Sequence, residues 1–299
     1  MYYSPLRYPG GKARLSAFIA KVCMDNEITG HYVEPYSGGA AVALFLLMEG
    51  YVEKITINDK DRSIYAFWHS VLYRTDELCN LIENAKLDVD EWRRQREVQN
   101  NKADSDLLDL GFSTFYQNRT NRSGIIQGGL MGGIDQQDKY PMDCRFNKAD
   151  LIKRIKNIAQ HRENINLYGQ DAVDLIDKIE LESANDNVIF YFDPPYYNKA
   201  STLYMNHYKD DNHKTVRDKI KSIDKIKWIV SYDNVPEIQQ LYSSFERKEF
   251  SFKHTAHTTK VGKEVIFFSD NLIQPSIKEY EPSKFKKSKK NKEILYKLD

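Results

Sequence analysis

The chain has 299 residues, of which 41% are hydrophobic and 29% charged, with 44 Lys and Arg against 43 Asp and Glu. This length supports one large domain, or one domain carrying an insertion, around a substantial core, and a formal net charge of +1 excludes a uniformly basic protein. No apolar stretch approaches a membrane span, the start Met1-Tyr2-Tyr3-Ser4-Pro5 lacks the apolar segment of a secretory signal, and Cys23, Cys79 and Cys144 have neither disulfide nor zinc spacing; the expectation is a cytoplasmic protein with no membrane partner and no metal site.

In chain order, Pro5-Leu6-Arg7-Tyr8-Pro9-Gly10-Gly11-Lys12 precedes a helix expected over Ala13 to Cys23. Gly10-Gly11-Lys12 has part of a P-loop's composition, but the spacing is absent and Ala13 stands where a metal-binding hydroxyl would be, which rejects a nucleotide triphosphatase. Tyr32-Val33-Glu34-Pro35 reads as a strand end running into Tyr36-Ser37-Gly38-Gly39 and a helix from Ala40 to Glu49. A second strand, Lys54 to Asn58, ends at Asp59, and the βαβα start implies a parallel sheet. Asp76 to Asn118 then reads as charged and helical without a strong strand, the mark of an insertion. Asn118 to Pro141 is polar and glycine-rich, and helical periodicity resumes at Lys148. Asn166-Leu167-Tyr168, Val188 to Phe192, Trp228 to Ser231 and Val265 to Phe268 supply further strands, with a helix at Asp171 to Ile179. Phe112 to Gln160 and Pro275 to Asp299 each carry eight Lys or Arg against four acids. The Lys-rich tail is expected to be a solvated, poorly ordered terminus with no site.

The most informative segment is Asp193-Pro194-Pro195-Tyr196, directly after the apolar run Val188-Ile189-Phe190-Tyr191-Phe192. A buried strand would deliver an acid, two stiff prolines and an aromatic ring to its carboxyl end, the layout of a pocket for a flat, amine-bearing ring. Asp193 and the Pro194 carbonyl would hold the amino group while Tyr196 stacks on the ring. Glu34 to Gly39 allows close backbone approach to a nucleotide-like ligand, and Asp59, at the end of the next strand, is placed to bind ribose hydroxyls; without a phosphate clamp, an adenosine lacking a pyrophosphate fits best.

Together, Arg7-Tyr8-Pro9-Gly10-Gly11-Lys12, Val33 to Gly39, Asn58-Asp59, Phe115-Tyr116-Gln117-Asn118-Arg119-Thr120-Asn121-Arg122-Ser123-Gly124 and Asp193 to Tyr196 resemble, in that order, the Dam-type family of DNA adenine methyltransferases. The resemblance spans roughly Pro5 to Phe268. It implies an α/β, Rossmann-like methyltransferase sheet over 1–65 and 147–272, an inserted, mainly helical target-recognition domain over 66–146 carrying a hairpin or loop, and a basic tail over 273–299. It implies S-adenosylmethionine as cofactor, lined by Tyr8, Gly11, Lys12, Glu34, Pro35, Tyr36, Ser37, Gly38, Gly39, Asp59, Asp171 and Asp193. Catalysis would fall to Asp193, Pro194 and Tyr196, acting on the N6 amino group of an adenine flipped out of double-stranded DNA. Asn118, Arg119, Asn121, Arg122 and Ser123 would form the DNA-contacting segment, with Arg119 or Arg122 reaching phosphates or guanine edges. A cognate restriction endonuclease is the further partner implied, and the chain would be a monomer or weak dimer. The alternatives are methylation of RNA adenine or cytosine N4, or a catalytically silent DNA-binding relative. No cysteine follows a proline, as the covalent step of a cytosine-ring enzyme would need. Two departures stand out: Ala40 occupies the family's second glycine position, and Gln127 to Arg145 is unlike the family's best-known recognition sequence, so the target sequence is not inherited.

Overall fold

The computed structural model describes residues 3–7, 12–182, 187–197, 210–253, 261–277 and 279–297. Among them, β1 (His31–Glu34), β2 (Lys54–Asn58), β3 (Ile165–Tyr168), β4 (Val188–Phe192), β5 (Lys227–Asp233), β6 (Arg247–Lys253) and β7 (Val261–Phe268) form one sheet in the order β3-β2-β1-β4-β5-β7-β6. The first five are parallel, while β7 runs antiparallel to both β5 and β6. This is the doubly wound, Rossmann-like arrangement that the alternating pattern predicts. The order reverses between β1 and β4, and in such sheets the crevice at the carboxyl ends beside that reversal takes the ligand.

Why β4 lies at the centre follows from its residues. Val188-Ile189-Phe190-Tyr191-Phe192 is apolar at every position and every position is buried, as a parallel strand covered on both faces requires. Its period of two divides the core. Ile189 and Tyr191 pack with Tyr32 and Ile229 against α1 (Ser16–Asp25) and α2 (Ala41–Met48), whereas Phe190 and Phe192 pack with Val33, Trp228 and Val230 against α8 (Ala172–Glu182) and the helix Asp210–Lys221.

The helical segment comprises α3 (Arg62–Tyr73), α4 (Thr75–Asn84), α5 (Val89–Asn100) and α6 (Leu107–Thr120), after which α7 (Lys148–Ala159) leads back to β3. Asp61, Asp88, Asp106 and Asn147 each accept a backbone N–H as N-caps of α3, α5, α6 and α7. These helices share one buried apolar cluster with α1, α2 and one face of the sheet, and within it Phe67 of α3 stacks on Phe115 of α6 at 6.0 Å. Gly111 makes that approach possible, because a Cβ there would lie 2.4 Å from Ser70 Oγ and 2.6 Å from the Ala66 carbonyl. Of the expected hairpin or loop after Asn118, the loop is present: among the described residues, 121–141 contain turns and one isolated bridge, Asn121 to Leu130, but no strand.

The tail departs most from expectation. β8 (Phe285–Lys287) and β9 (Ile294–Tyr296) pair as an antiparallel hairpin docked on α1. Phe285 and Tyr280 are buried, with ring centroids 5.5 and 5.6 Å from Phe18, and Tyr296 meets Phe285 edge-on at 5.0 Å. The lysines dominate the composition, but it is the sparse aromatic and aliphatic residues between them that fix the segment in place.

Candidate active site

The carboxyl end of β4 delivers Asp193 into a buried charge cluster. Lys12 Nζ lies 3.0 Å from Asp193 Oδ1 and 3.3 Å from Glu264 Oε2, and donates to the Tyr196 hydroxyl at 2.7 Å. Tyr196 in turn donates to Glu264 Oε1 at 2.5 Å. Glu264 reaches this edge because β7 is antiparallel to β5, which pairs Glu264 with Asp233 beyond the end of β4. Ser231 Oγ, itself 2.8 Å from the Tyr191 hydroxyl, donates to Asp193 Oδ1 at 2.9 Å. Asp193 Oδ1 is therefore occupied twice. Among the described residues nothing hydrogen-bonds to Oδ2, and the side chain keeps 20% of its exposure. Burial, then the charge of Glu264, raise the Asp193 carboxyl above its ordinary range, with Lys12 and Ser231 opposing them. Burial works against the Lys12 charge as well, yet Asp193, Tyr196 and Glu264 together hold the ammonium well above its usual pKa.

A cavity of about 930 Å³ opens in front of Asp193. Lys12, Glu34, Tyr36, Ser37, Gly38, Gly39 and Asp59 all line it, so the structure gathers most of the expected cofactor residues around one space. The turn after β1 bends around the void through left-handed backbone at Gly38 (φ 45°) and Ala40 (φ 46°). Asn58 fixes the turn: its side chain donates to the carbonyls of Pro35 and Gln170 and accepts from the Gln170 N–H. Asp59 accepts from the N–H groups of Gly38 at 3.0 Å and Asp61 at 2.9 Å, and burial with the Asp61 charge pushes its pKa up to about 7. Glu34 accepts from the Tyr32 hydroxyl and the Ala43 N–H, and burial lifts it to about 8. Ser37 Oγ is buried with no hydrogen-bond partner among the described residues.

Other expected residues stand elsewhere. Pro35 and Pro194 are buried behind the cavity wall. Asp171 does not line it; the carboxylate caps α8 through the Val173 N–H and pairs with Lys60, which does line the cavity. Tyr196 is only 2% exposed, with Lys12 over its ring and its hydroxyl bonded to Lys12 and Glu264, so in this conformation it braces the charge cluster. Tyr8 and Gly11 lie outside the described residues.

The expected DNA segment divides by burial. Asn118 is spent on scaffolding: it accepts from the Arg7 N–H and donates to the carbonyls of Arg7 and Gly124. Asn121 is likewise consumed by Trp92, Gln117, Ile125 and Ile126. Polar residues in a helix end followed by glycines signal exposure in sequence, but here their amides replace missing backbone partners. Arg122 and Ser123 are exposed, with Arg122 meeting Asp138 at 3.1 Å. Arg119 turns inward and lines the cavity together with Arg7, Arg145 and Arg154. Its Nε is buried without a partner among the described residues, and burial plus the charges of Arg154, Arg7 and Arg145 depress the guanidinium pKa to about 9. Arg154 pairs with Asp150 at 2.7 Å, which offsets part of the positive charge gathered here.

Sequence reasoning missed Ser231, Glu264, Arg7, Arg145 and Arg154. Ser231 interrupts the apolar run Trp228 to Val230, and Glu264 heads the apolar run Val265 to Phe268; a polar residue at an apolar strand's end was the available signal. The three arginines converge only through tertiary folding.

Comparison with known proteins bears on the family of the chain. The profile of the D12 class N6 adenine-specific DNA methyltransferases matches residues 8–259. A Type II methyltransferase, M.MjaIII of Methanocaldococcus jannaschii, is 24% identical over 266 residues, covering 82% of this chain and 89% of that protein. A local match to the exocyst complex protein EXO70 of Gibberella zeae, 30% identical over 142 residues, covers 42% of this chain and 22% of that one. The rRNA methyltransferase aviRa of Streptomyces viridochromogenes aligns over 87% of this chain and 85% of its own, at 12% identity and a TM-score of 0.38. With 252 consecutive positions under the family profile, the chain belongs to the D12 class N6 adenine-specific DNA methyltransferases.

Proposed function

We propose that this DNA adenine methyltransferase takes its methyl group from S-adenosylmethionine and places it on the N6 amino group of an adenine extruded from a specific duplex sequence. One observation carries the reading: Asp193 spends Oδ1 on Lys12 and Ser231 and keeps Oδ2 open beside a large cavity. The cavity volume suits a nucleoside-sized cofactor. Glu34, Asp59 and the unpartnered Ser37 hydroxyl supply the donors and acceptors that the cofactor's amino-acid and ribose parts need. When bound, S-adenosylmethionine supplies an electrophilic methyl on a sulfonium with a good thioether leaving group.

The chain's own residues supply orientation and charge. Within a duplex the adenine amino group is shielded, and its lone pair is delocalised into the ring. Asp193 Oδ2 accepts from an amino hydrogen and favours a pyramidal nitrogen whose lone pair is free to attack. Lys12 opposes the effect of burial on Asp193 and so favours its carboxylate form, and Tyr196 keeps Lys12 in place between two carboxylates. Fixed geometry of this kind lowers the barrier without an enzyme nucleophile. Arg119 with Arg7, Arg145 and Arg154 binds backbone phosphate, and the exposed Arg122 and Ser123 meet the duplex, so residues 66–146 act as the target-recognition insertion. A paired restriction endonuclease would accompany the enzyme if it works in a Type II system. Asp193→Ala tests the reading: methyl transfer to duplex DNA is lost while S-adenosylmethionine binding by calorimetry persists, and retained transfer rejects it.

A further inference from the structure

The hairpin β8–β9 lies beyond residue 259, where the family match ends, and is fixed to α1 through Phe285 and Tyr280. Its first strand forms part of the wall of the cavity that holds Asp193 and Arg119, through Phe285, Lys286 and Lys287. Lys287 is neutralised by Glu49 at 2.8 Å. Lys286, Lys289 and Lys290 are exposed, and among the described residues none meets a carboxylate. Lys292 donates to the Gly50 carbonyl and Tyr51 donates to the Lys292 carbonyl, so the turn carrying Lys289 and Lys290 is held at its base. A flexible lysine tail would pay the full entropy of ordering on contact; one built on a docked hairpin does not.

We propose that this hairpin is an accessory clamp for the DNA backbone, with Lys286, Lys289 and Lys290 each engaging a phosphate that flanks the target base. The proposal rests on the functional reading above and extends the DNA footprint to a part of the chain outside the family match. Charge complementarity selects the occupant: in a protein with net charge +1, exposed ammonium groups without a carboxylate partner, on a docked hairpin whose Lys286 lines the catalytic cavity and, among the described residues, donates only to the Ser283 carbonyl at 3.0 Å, suit a polyanion arriving at that cavity.

The test is the salt dependence of duplex binding. Each phosphate contact contributes about 0.9 to the slope of log affinity against log salt. Lys289→Ala with Lys290→Ala therefore lowers the slope by about 1.8, and adding Lys286→Ala lowers it by about 2.7. The double variant's affinity thus falls about tenfold less than the wild type's between 50 and 200 mM salt. Its turnover at saturating DNA and its S-adenosylmethionine affinity match the wild type. Wild-type slopes in both variants overturn the clamp, as does a loss of cofactor affinity in the double variant, which would make these lysines part of the donor site. Wild-type protein that transfers no methyl to duplex DNA would instead overturn the functional reading itself.

Discussion

Lys12→Met is the perturbation from which the site has most to lose. At 3.0 and 3.3 Å, and at an effective dielectric near 20, each attraction to Asp193 and Glu264 amounts to about 5 kcal/mol before the cost of taking the ions out of water is subtracted. Removing one partner from a buried ionic group costs about 3 to 5 kcal/mol, because the remaining charges stay desolvated. Lys12→Met leaves two carboxylates facing each other, and Asp193, raised already by burial and by Glu264, rises further. The sign follows: methyl transfer requires the ionised carboxylate and is lost as pH falls through its pKa, so the acid limb of the single-turnover rate moves to higher pH. Stability drops most above that pKa and least in acid, where the carboxyls are protonated. Urea unfolding at two pH values, with a pH–rate profile, reads both effects. Adding Glu264→Gln removes the repelling charge and moves the limb back down. A variant less than about 1 kcal/mol weaker at alkaline pH, with an unmoved acid limb, would refute the reasoning.

Other outcomes follow from the same geometry. Glu34 rises from 4.5 to about 8 on folding, so its protonated form stabilises the fold below the unfolded value and that stability is lost as pH climbs to about 8; Glu34→Gln flattens the urea midpoint across this window, and an unchanged curve contradicts the assignment. Gly111→Ala gains about 1 kcal/mol of helix propensity but drives a Cβ into the Ala66 carbonyl, and an overpacking cost of about 1 to 3 kcal/mol yields a net lower melting temperature. Tyr196→Phe removes the hydroxyl between Lys12 and Glu264 while preserving the ring; kcat falls with little change in DNA affinity, whereas equal kcat would assign the residue to stacking alone.

The sheet was legible because its strands carry two separable signals, apolar runs and the residues that end them. Val188 to Phe192 followed by Asp193 announces both a buried strand and its functional end. β6 was missed since Arg247-Lys248-Glu249-Phe250-Ser251-Phe252-Lys253 alternates at the sheet edge with too many charges to look like core. Local patterns also mislead where tertiary contacts decide: the helix end Asn118-Arg119-Thr120-Asn121 reads as a solvated DNA loop, but folding buries both asparagines as backbone partners and turns Arg119 toward three other arginines. The tail's lysines hid Phe285 and Tyr296 for the same reason, since a short apolar alternation gains meaning only against the face of α1 that it covers.

The most direct test of the central claim is mass spectrometry of nucleosides from duplex DNA incubated with S-adenosylmethionine and either wild-type protein or Asp193→Asn. With Oδ2 as the acceptor for the amino group, the wild type yields N6-methyladenine in one sequence context and the variant, still folded and still binding the cofactor, yields none. N6-methyladenine formed at the wild-type rate by Asp193→Asn, or a methyl group on cytosine, would contradict the account.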